Sequence, residues 1–544
     1  MIESTLVGTP SVAPHPTQRT SSRKTRWSLR SPCAIPIHYE RGHGDPIQGA
    51  GFLDAWSALG GRVEVVHPLN AGDWLEIRLR AGARGANPRP LTSGRTIRAR
   101  VVSEAPGPSA PGRHAYGVQF AAGRRLRVAF AVHRCLPYLA ALLFALGTIH
   151  IIVLKSSNVE YFWYRPLANV YSLLISFYIL SRFALSAFYR PPKDMGHRPT
   201  VSVVIACKNE EGSIARTIDC IYASDYPRQR LEVIAVNDGS TDGTLAEMRR
   251  AQQRHRGLKV IDLGRNLGKR HGMAVGARAA RGDILVYVDS DSFVRHDTIA
   301  QIVQGFIDPD VGAVCGHAYV HNPRKNFLTR MQEVRYYVAF RVVKAAESLF
   351  GAVACCSGCL AAYRRRYVME ILDVWLNQEF LGTPATFGDD RSLTNFMLRR
   401  YRVIYHANAV CSTIVPETYR QFFKQQLRWK KSWVRETFIA GHFMWRRHPL
   451  AAFFFYLGGI FPVLSPIVAF NALVLPLLSA GDISLLYIYG ATLMSGLYGL
   501  YYLARMRSGL WVYGVAFSFF YMFILVWQTY YALLTVRRNH WGTR

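Results

Sequence analysis

Apolar runs of near-bilayer length constrain this chain more than any other feature. They span Leu136–Leu154, Leu167–Tyr189 with only Arg182 inside, Leu450–Leu478, Ile483–Ala504 and Leu510–Val536. A membrane-crossing helix needs roughly 20 such residues. Arg124, Arg125, Arg127 and Arg134 precede the first run, and Arg190 and Lys193 follow the second. Basic residues collect on the cytoplasmic side, so both ends of this hairpin (residues 135–190) are expected inside, with the loop from Lys155 to Arg165 outside. A buried soluble helical hairpin is the competing reading. The C-terminal runs (449–536) have an awkward parity. Three single crossings would put the tail 537–544 outside, whereas Arg505, Arg507, Arg537 and Arg538 place those loops inside. One run is therefore expected to fold back, and Pro462 and Pro466 mark a candidate.

The net charge is +31, from 66 Lys and Arg against 35 Asp and Glu. Such an excess invites a nucleic-acid partner. Beside membrane-length runs, cytoplasmic positive charge is the simpler account, and no nucleic acid is expected. With 50% hydrophobic and 13% aromatic residues, the chain is too apolar to be disordered or purely soluble and polar. Its 9 cysteines show no disulfide-framework spacing, which points to reduced thiols in a cytosolic compartment. Cys355, Cys356 and Cys359 lack a second ligand pair for a zinc site.

Residues 1–25 form a basic Ser/Thr/Pro tail with no apolar stretch of the secretory kind. From Arg26 the texture changes to short alternating strands at Ala34–Ile37, Arg62–Val66, Trp74–Leu79, Ile97–Val102 and Tyr116–Phe120, separated by Gly and Pro turns. That pattern predicts a small N-terminal β-barrel over residues 26–126. Residues 200–447 read as an α/β domain. Compact apolar strands are expected at Val201–Ala206, Glu232–Val236, Lys259–Ile261 and Ile284–Val288. Ligands of such sheets bind beyond the carboxyl ends of the strands. There stand Lys208-Asn209-Glu210-Glu211, Asn237-Asp238-Gly239-Ser240 and Asp289-Ser290-Asp291. One acid after a strand is ordinarily a turn or cap residue; acids after three strands make that reading unattractive. A dinucleotide-binding fold is disfavoured, because no G-x-G-x-x-G follows the first strand.

The densest chemistry lies between Phe387 and Arg435. Gly388-Asp389-Asp390-Arg391 marks a loop turning into a helix, where the carboxylates are either an N-cap with a favourable dipole contact or a general base. About 35 residues on, Gln425, Arg428 and Trp429 fall at i, i+3 and i+4 and share one helical face. An amide, a guanidinium and an indole on one face suit an anionic leaving group beside a stacked ring, although an ordinary amphipathic helix is also consistent. Between Asn326 and Phe350 a further helical spacing reads as an interfacial or a core-packed helix.

G-D-D-R-x-L-T-N followed by Q-x-x-R-W resembles the processive family-2 glycosyltransferases, in particular hyaluronan synthases and, as a close variant, rhizobial chitin-oligosaccharide synthases. The resemblance runs from about Leu136 to Arg544, including Trp375–Gly382 and the tail Trp541-Gly542-Thr543-Arg544. It implies a multi-domain membrane protein of the inner (plasma) membrane, with a cytosolic α/β GT-A glycosyltransferase domain and an α-helical transmembrane channel. It further implies inverting polymerisation of UDP-sugars, UDP-GlcNAc with UDP-GlcA in the first instance and chitin-type β-1,4-GlcNAc as the alternative, with export of the polysaccharide. By resemblance, Asp390 beside Asp389 is the base, and Gln425, Arg428 and Trp429 complete the catalytic group. Glu210 and Asp238 accept the uracil N–H. Asp289 and Asp291 form the D-x-D that holds Mg²⁺ or Mn²⁺ on the diphosphate. Lys269 and Arg270 add charge to the same phosphates. Cys355, Ser357 and Gly358 belong to the acceptor loop, where Cys359 replaces the Pro usual in hyaluronan synthases. The N-terminal region resembles a PilZ domain: Arg26-x-x-x-Arg30 matches its R-x-x-x-R arm. Ser57 and Gly60 fit the end of its second motif, with Asp54 one position further from Ser57 than the pattern has it. This implies cyclic di-GMP as a regulatory ligand. A cyclic di-GMP receptor with a degenerate transferase module is the alternative of another class.

Overall fold

The computed structural model describes residues 35–41, 48–56, 60–79, 96–104, 114–120, scattered positions within 142–150, 166–478 and 485–538. Arg26, Arg30, Ser57, most of the first apolar run and the C-terminal Trp541–Arg544 lie outside them, as does the side chain of Asp54. The chain divides into two compact units, Met1–Arg134 and Cys135–Arg544.

In the first unit, strands β1 (Ile35–Arg41), β2 (Gln48–Trp56), β3 (Gly60–Val65), β4 (Trp74–Leu79), β5 (Thr96–Glu104) and β6 (His114–Phe120) close a barrel in the order β1-β2-β3-β6-β5-β4. Successive side chains of a strand point to opposite faces. Ile37 and Tyr39, Val63 and Val65, Leu75 and Ile77, Ala99 and Val101, and Tyr116 and Val118 accordingly fill the interior. The Tyr116 hydroxyl accepts from the Leu69 N–H at 3.0 Å, so this buried ring keeps a polar partner. Five strands match the sequence expectation. β2 was not anticipated, because Gln48-Gly49-Ala50-Gly51 carries little β propensity; its pairing with β1 and β3 supplies what local preference does not.

The second unit is built on an eight-stranded sheet ordered β11-β16-β12-β13-β10-β7-β8-β9. Its members are β7 (Val201–Cys207), β8 (Leu231–Asn237), β9 (Leu258–Asp262), β10 (Ile284–Tyr287), β11 (Ser292–Val294), β12 (Val311–Val320), β13 (Ala361–Arg364) and β16 (Arg402–Thr413). A separate hairpin joins β14 (Glu379–Phe380) and β15 (Thr383–Pro384). β10, β7, β8 and β9 run parallel, whereas β13 is antiparallel to both β10 and β12. Every residue of β7 and β10 is buried, as expected of strands covered on both faces. The parallel register brings the carboxyl ends of β7, β8 and β10 to one edge, so the three acidic stretches converge.

Among the described residues two helices, Val170–Phe188 and Pro449–Leu478, are long and apolar enough to cross a membrane, or three if the pair Gly509–Leu525 and Gln528–Leu534, bent by 47°, is one span. The expected fold-back at Pro462 and Pro466 is not present: both prolines lie inside the helix Pro449–Ala469, which is followed without a gap by the π-turn Phe470–Val474 and the helix Leu475–Leu478. The bend falls in the last run instead. The helix Phe327–Val338 is largely buried and packs with Tyr502 and the aromatic residues near Trp511.

Candidate active site

Asp289 and Asp291 follow β10 and line a cavity of about 690 Å³ together with Lys269, Cys355, Ser357, Gly358, Asp389, Asp390, Gln425, Arg428 and Trp429. Residues as distant in the chain as Lys269 and Trp429 thus meet in one space. Its wall continues along Tyr178, Arg182, Phe454, Gly458 and Pro462 of the apolar helices.

The Asp pair is set by a turn only glycine adopts easily. Gly388 has φ 78°, and an added Cβ would come within 1.9 Å of the Ser432 hydroxyl. The helix Asp389–Leu398 begins there, with both acids in its first turn. The two acids then diverge. Asp389 is buried and bound to the Arg270 Nε at 2.8 Å. Asp390 accepts from the Arg391 N–H at 2.8 Å through one oxygen, and the other lies 3.6 Å from the Cys355 Sγ. Burial, and then the nearby Asp390 charge, push the Cys355 thiol up to about 12, so it stays protonated and faces Asp390 as a weak donor.

The helix Tyr419–Gly441 carries Gln425, Arg428 and Trp429. A buried network holds it to the Asp-pair helix. The Asn395 Nδ2 donates to the Glu436 carboxylate at 2.9 Å, the Arg435 Nε donates to the same carboxylate at 2.8 Å, and Arg435 also reaches the Phe387 carbonyl. Gln378 adds a donor to Glu436 at 3.2 Å. Asn395, Gln378, Arg435 and Glu436 were missed as positioning groups; polar residues at buried helical spacing would have been the signal. Trp429 is flanked by the Tyr336 ring, with centroids 6.4 Å apart, and by the Arg335 guanidinium 5.6 Å from its own centroid. The Gln425 Oε1 is buried with no hydrogen-bond partner among the described residues. Burial lowers the pKa of Arg428, while Asp390, Asp289 and Asp389 act to restore it.

Lys269 pairs with Asp289. Burial pulls this ammonium down, but Asp289, then Asp389 and Asp390, outweigh it and hold it above its ordinary range. Arg270 is placed differently from Lys269. Its guanidinium is buried, bound to Asp389 and to the Trp375 carbonyl at 3.0 Å, and does not line the cavity. The Asp238 carboxylate accepts from Leu267 and Gly268 N–H groups at 2.6 and 3.0 Å and so ties down the loop before Lys269. Glu210 caps its own turn, accepting from the Ser213 hydroxyl at 2.8 Å, outside the cavity wall. For a divalent cation, the two hard carboxylates of Asp289 and Asp291 at the cavity wall fit a site completed by ligand oxygens. Gly358 permits the close approach, since a Cβ there would stand 3.2 Å from both Asp289 oxygens.

Asp289 and Asp291 at the end of β10, sharing one cavity with Asp390, Arg428 and Trp429, mark a GT-A-like glycosyltransferase domain. The chain belongs to glycosyl transferase family 2, whose model matches residues 202–372. It is 34% identical over 297 residues to an N-acetylglucosaminyltransferase of Rhizobium meliloti, covering 52% of this chain and 69% of that one. It is 28% identical over 421 residues to the hyaluronan synthase of Streptococcus pyogenes, covering 75% of this chain and 98% of the relative. Among solved structures, the mannosyltransferase PcManGT of Pyrobaculum calidifontis in complex with GDP-Man and Mn²⁺ is 26% identical, with a TM-score of 0.47 over 66% of this chain and 99% of that one.

Proposed function

We propose that this protein is a membrane-embedded, inverting, processive glycosyltransferase that joins UDP-sugars into a β-linked polysaccharide and passes it across the membrane. The observation that carries this reading is the single cavity that holds Asp289, Asp390, Arg428 and Trp429 and continues along the apolar helices. Asp390 takes the proton of the acceptor hydroxyl as that oxygen bonds to the anomeric carbon of the donor. The bond from that carbon to the diphosphate breaks, UDP leaves with the electron pair, and one displacement turns an α-linked donor into a β-linkage. Lys269 and Arg428 bind the diphosphate, Arg428 by charge-assisted hydrogen bonds. The buried Gln425 Oε1 accepts from a sugar hydroxyl, and Trp429 stacks beneath the acceptor ring. Asp289 and Asp291 would hold Mg²⁺ or Mn²⁺, which supplies Lewis-acid stabilisation of the departing diphosphate. Glu210 and the loop tied by Asp238 border the uracil.

UDP-GlcNAc and UDP-GlcA are the donors we assign, by way of the hyaluronan synthase match over most of the chain. Incorporation of labelled UDP-GlcNAc by the purified full-length protein, with and without UDP-GlcA, tests this. Polymer that forms only with both donors is expected. Polymer from UDP-GlcNAc alone would make the product chitin-like, and absence of UDP release from either donor would overturn the reading. The N-terminal barrel we assign as a PilZ-type effector module for cyclic di-GMP.

A further inference from the structure

A charged residue inside an apolar span marks a functional position, because the hydrocarbon core gives its charge nothing to interact with. Arg182 is such a residue. It lies on the span Val170–Phe188, six residues or about 9 Å of helix from Phe188. It is 5% exposed and lines the catalytic cavity. Its guanidinium sits 4.5 Å from the Phe454 ring centroid and 4.9 Å from that of Tyr178, so aromatic faces support the charge. Among the described residues its Nε has no hydrogen-bond partner and the guanidinium forms no ion pair; the Tyr178 hydroxyl is its polar neighbour. Glu347, which lines the same cavity, accepts from the Ala354 N–H at 3.1 Å.

We propose that Arg182 binds the carboxylate of a uronic acid residue on the nascent chain as that chain leaves the acceptor site. This rests on the copolymer reading above and names the group that distinguishes a uronate-containing product from a neutral one. The unpartnered Nε leaves a donor for a planar anion, and a carboxylate matches the guanidinium fork. Tyr178, Phe454 and Pro462 supply the apolar wall around it. A neutral amino-sugar polymer offers no anion at this point. A uronate every second residue offers one at each repeat.

The test measures equilibrium binding to the full-length protein of an oligosaccharide alternating uronic acid and N-acetylglucosamine. A GlcNAc oligomer of equal length is the comparison ligand. Arg182→Gln is expected to weaken the uronate oligomer about tenfold, the scale of a lost charged hydrogen bond, with the GlcNAc oligomer little changed. Arg182→Lys should recover part of the loss, and product length from both donors should follow the same order. Equal weakening of both oligomers would reduce Arg182 to a packing role and overturn the proposal, as would a Gln variant that binds and polymerises like the parent. Failure of the copolymer reading appears elsewhere, in the unsubstituted protein, as a product free of uronic acid.

Discussion

At the residue scale, two neighbouring acids of one motif take opposite parts. Asp389 is spent on Arg270, whereas Asp390 faces the cavity with Cys355 and the Arg391 N–H as its neighbours. Burial explains the division, since a carboxylate that is almost wholly enclosed needs its own cation. Asp390→Asn should lower polymer formation by about 10²–10⁴, the typical worth of a general base. UDP affinity, measured by calorimetry, should change little. Near-normal synthesis by this variant in membranes would remove Asp390 from the mechanism. No spacing rule tells which acid of a D-D pair turns inward, because adjacent helical positions differ only by about 100° of rotation.

At the element scale, the loop before the Asp pair is held by contact with a second helix. In Gly388→Ala the backbone would have to keep a left-handed conformation that costs an L-residue roughly 1–2 kcal/mol. The added carbon would also meet Ser432. This substitution should therefore lower both activity and thermal stability, and the pairing Gly388→Ala with Ser432→Gly should regain part of the stability. A thermal midpoint for Gly388→Ala equal to that of the parent would contradict the close approach. A second coupling joins the sheet domain to the apolar helices: the Glu333 carboxylate accepts from the Tyr502 hydroxyl at 3.1 Å and from the Val320 N–H at 3.3 Å. Burial raises Glu333 to about 7 from an ordinary 4.5, against the lowering effect of those donors. The folded state thus binds a proton that the unfolded chain has released between these values. Stability from this group is present at low pH and declines as pH rises from about 4.5 through about 7. Thermal midpoints of Glu333→Gln across this window should lack that part of the decline; parallel curves would refute the assignment.

At the scale of the whole molecule, a closed barrel with its own core accompanies a transferase unit whose cavity reaches the apolar helices. If the barrel is an effector module, cyclic di-GMP must favour one arrangement of the transferase over another to alter synthesis. We expect saturable binding of cyclic di-GMP to the full-length protein at micromolar ligand. Arg26→Ala with Arg30→Ala should abolish it through lost bidentate phosphate contacts, without loss of basal synthesis. The absence of saturable binding to the unsubstituted protein would leave the barrel a structural or docking domain.

The sequence by itself determined four of the eight strands of the sheet (β7 to β10), five of the six barrel strands, the acids at the strand ends and the placement of Gln425, Arg428 and Trp429 on one helix. These follow from short-range periodicity and from turn chemistry, which act within a few residues. Tertiary structure alone decided the rest. β2 formed because two neighbouring strands needed a partner, and the bend fell in the last apolar run instead of at the prolines. Arg270 and Asp238 each met an internal partner, Asp389 and the Leu267 and Gly268 N–H groups, that no short-range pattern announces. The Glu436 network holds the helices of the Asp pair and of Trp429 together across 41 residues of sequence. Local preference cannot encode such contacts, because their energy exists only once distant segments have excluded water between them.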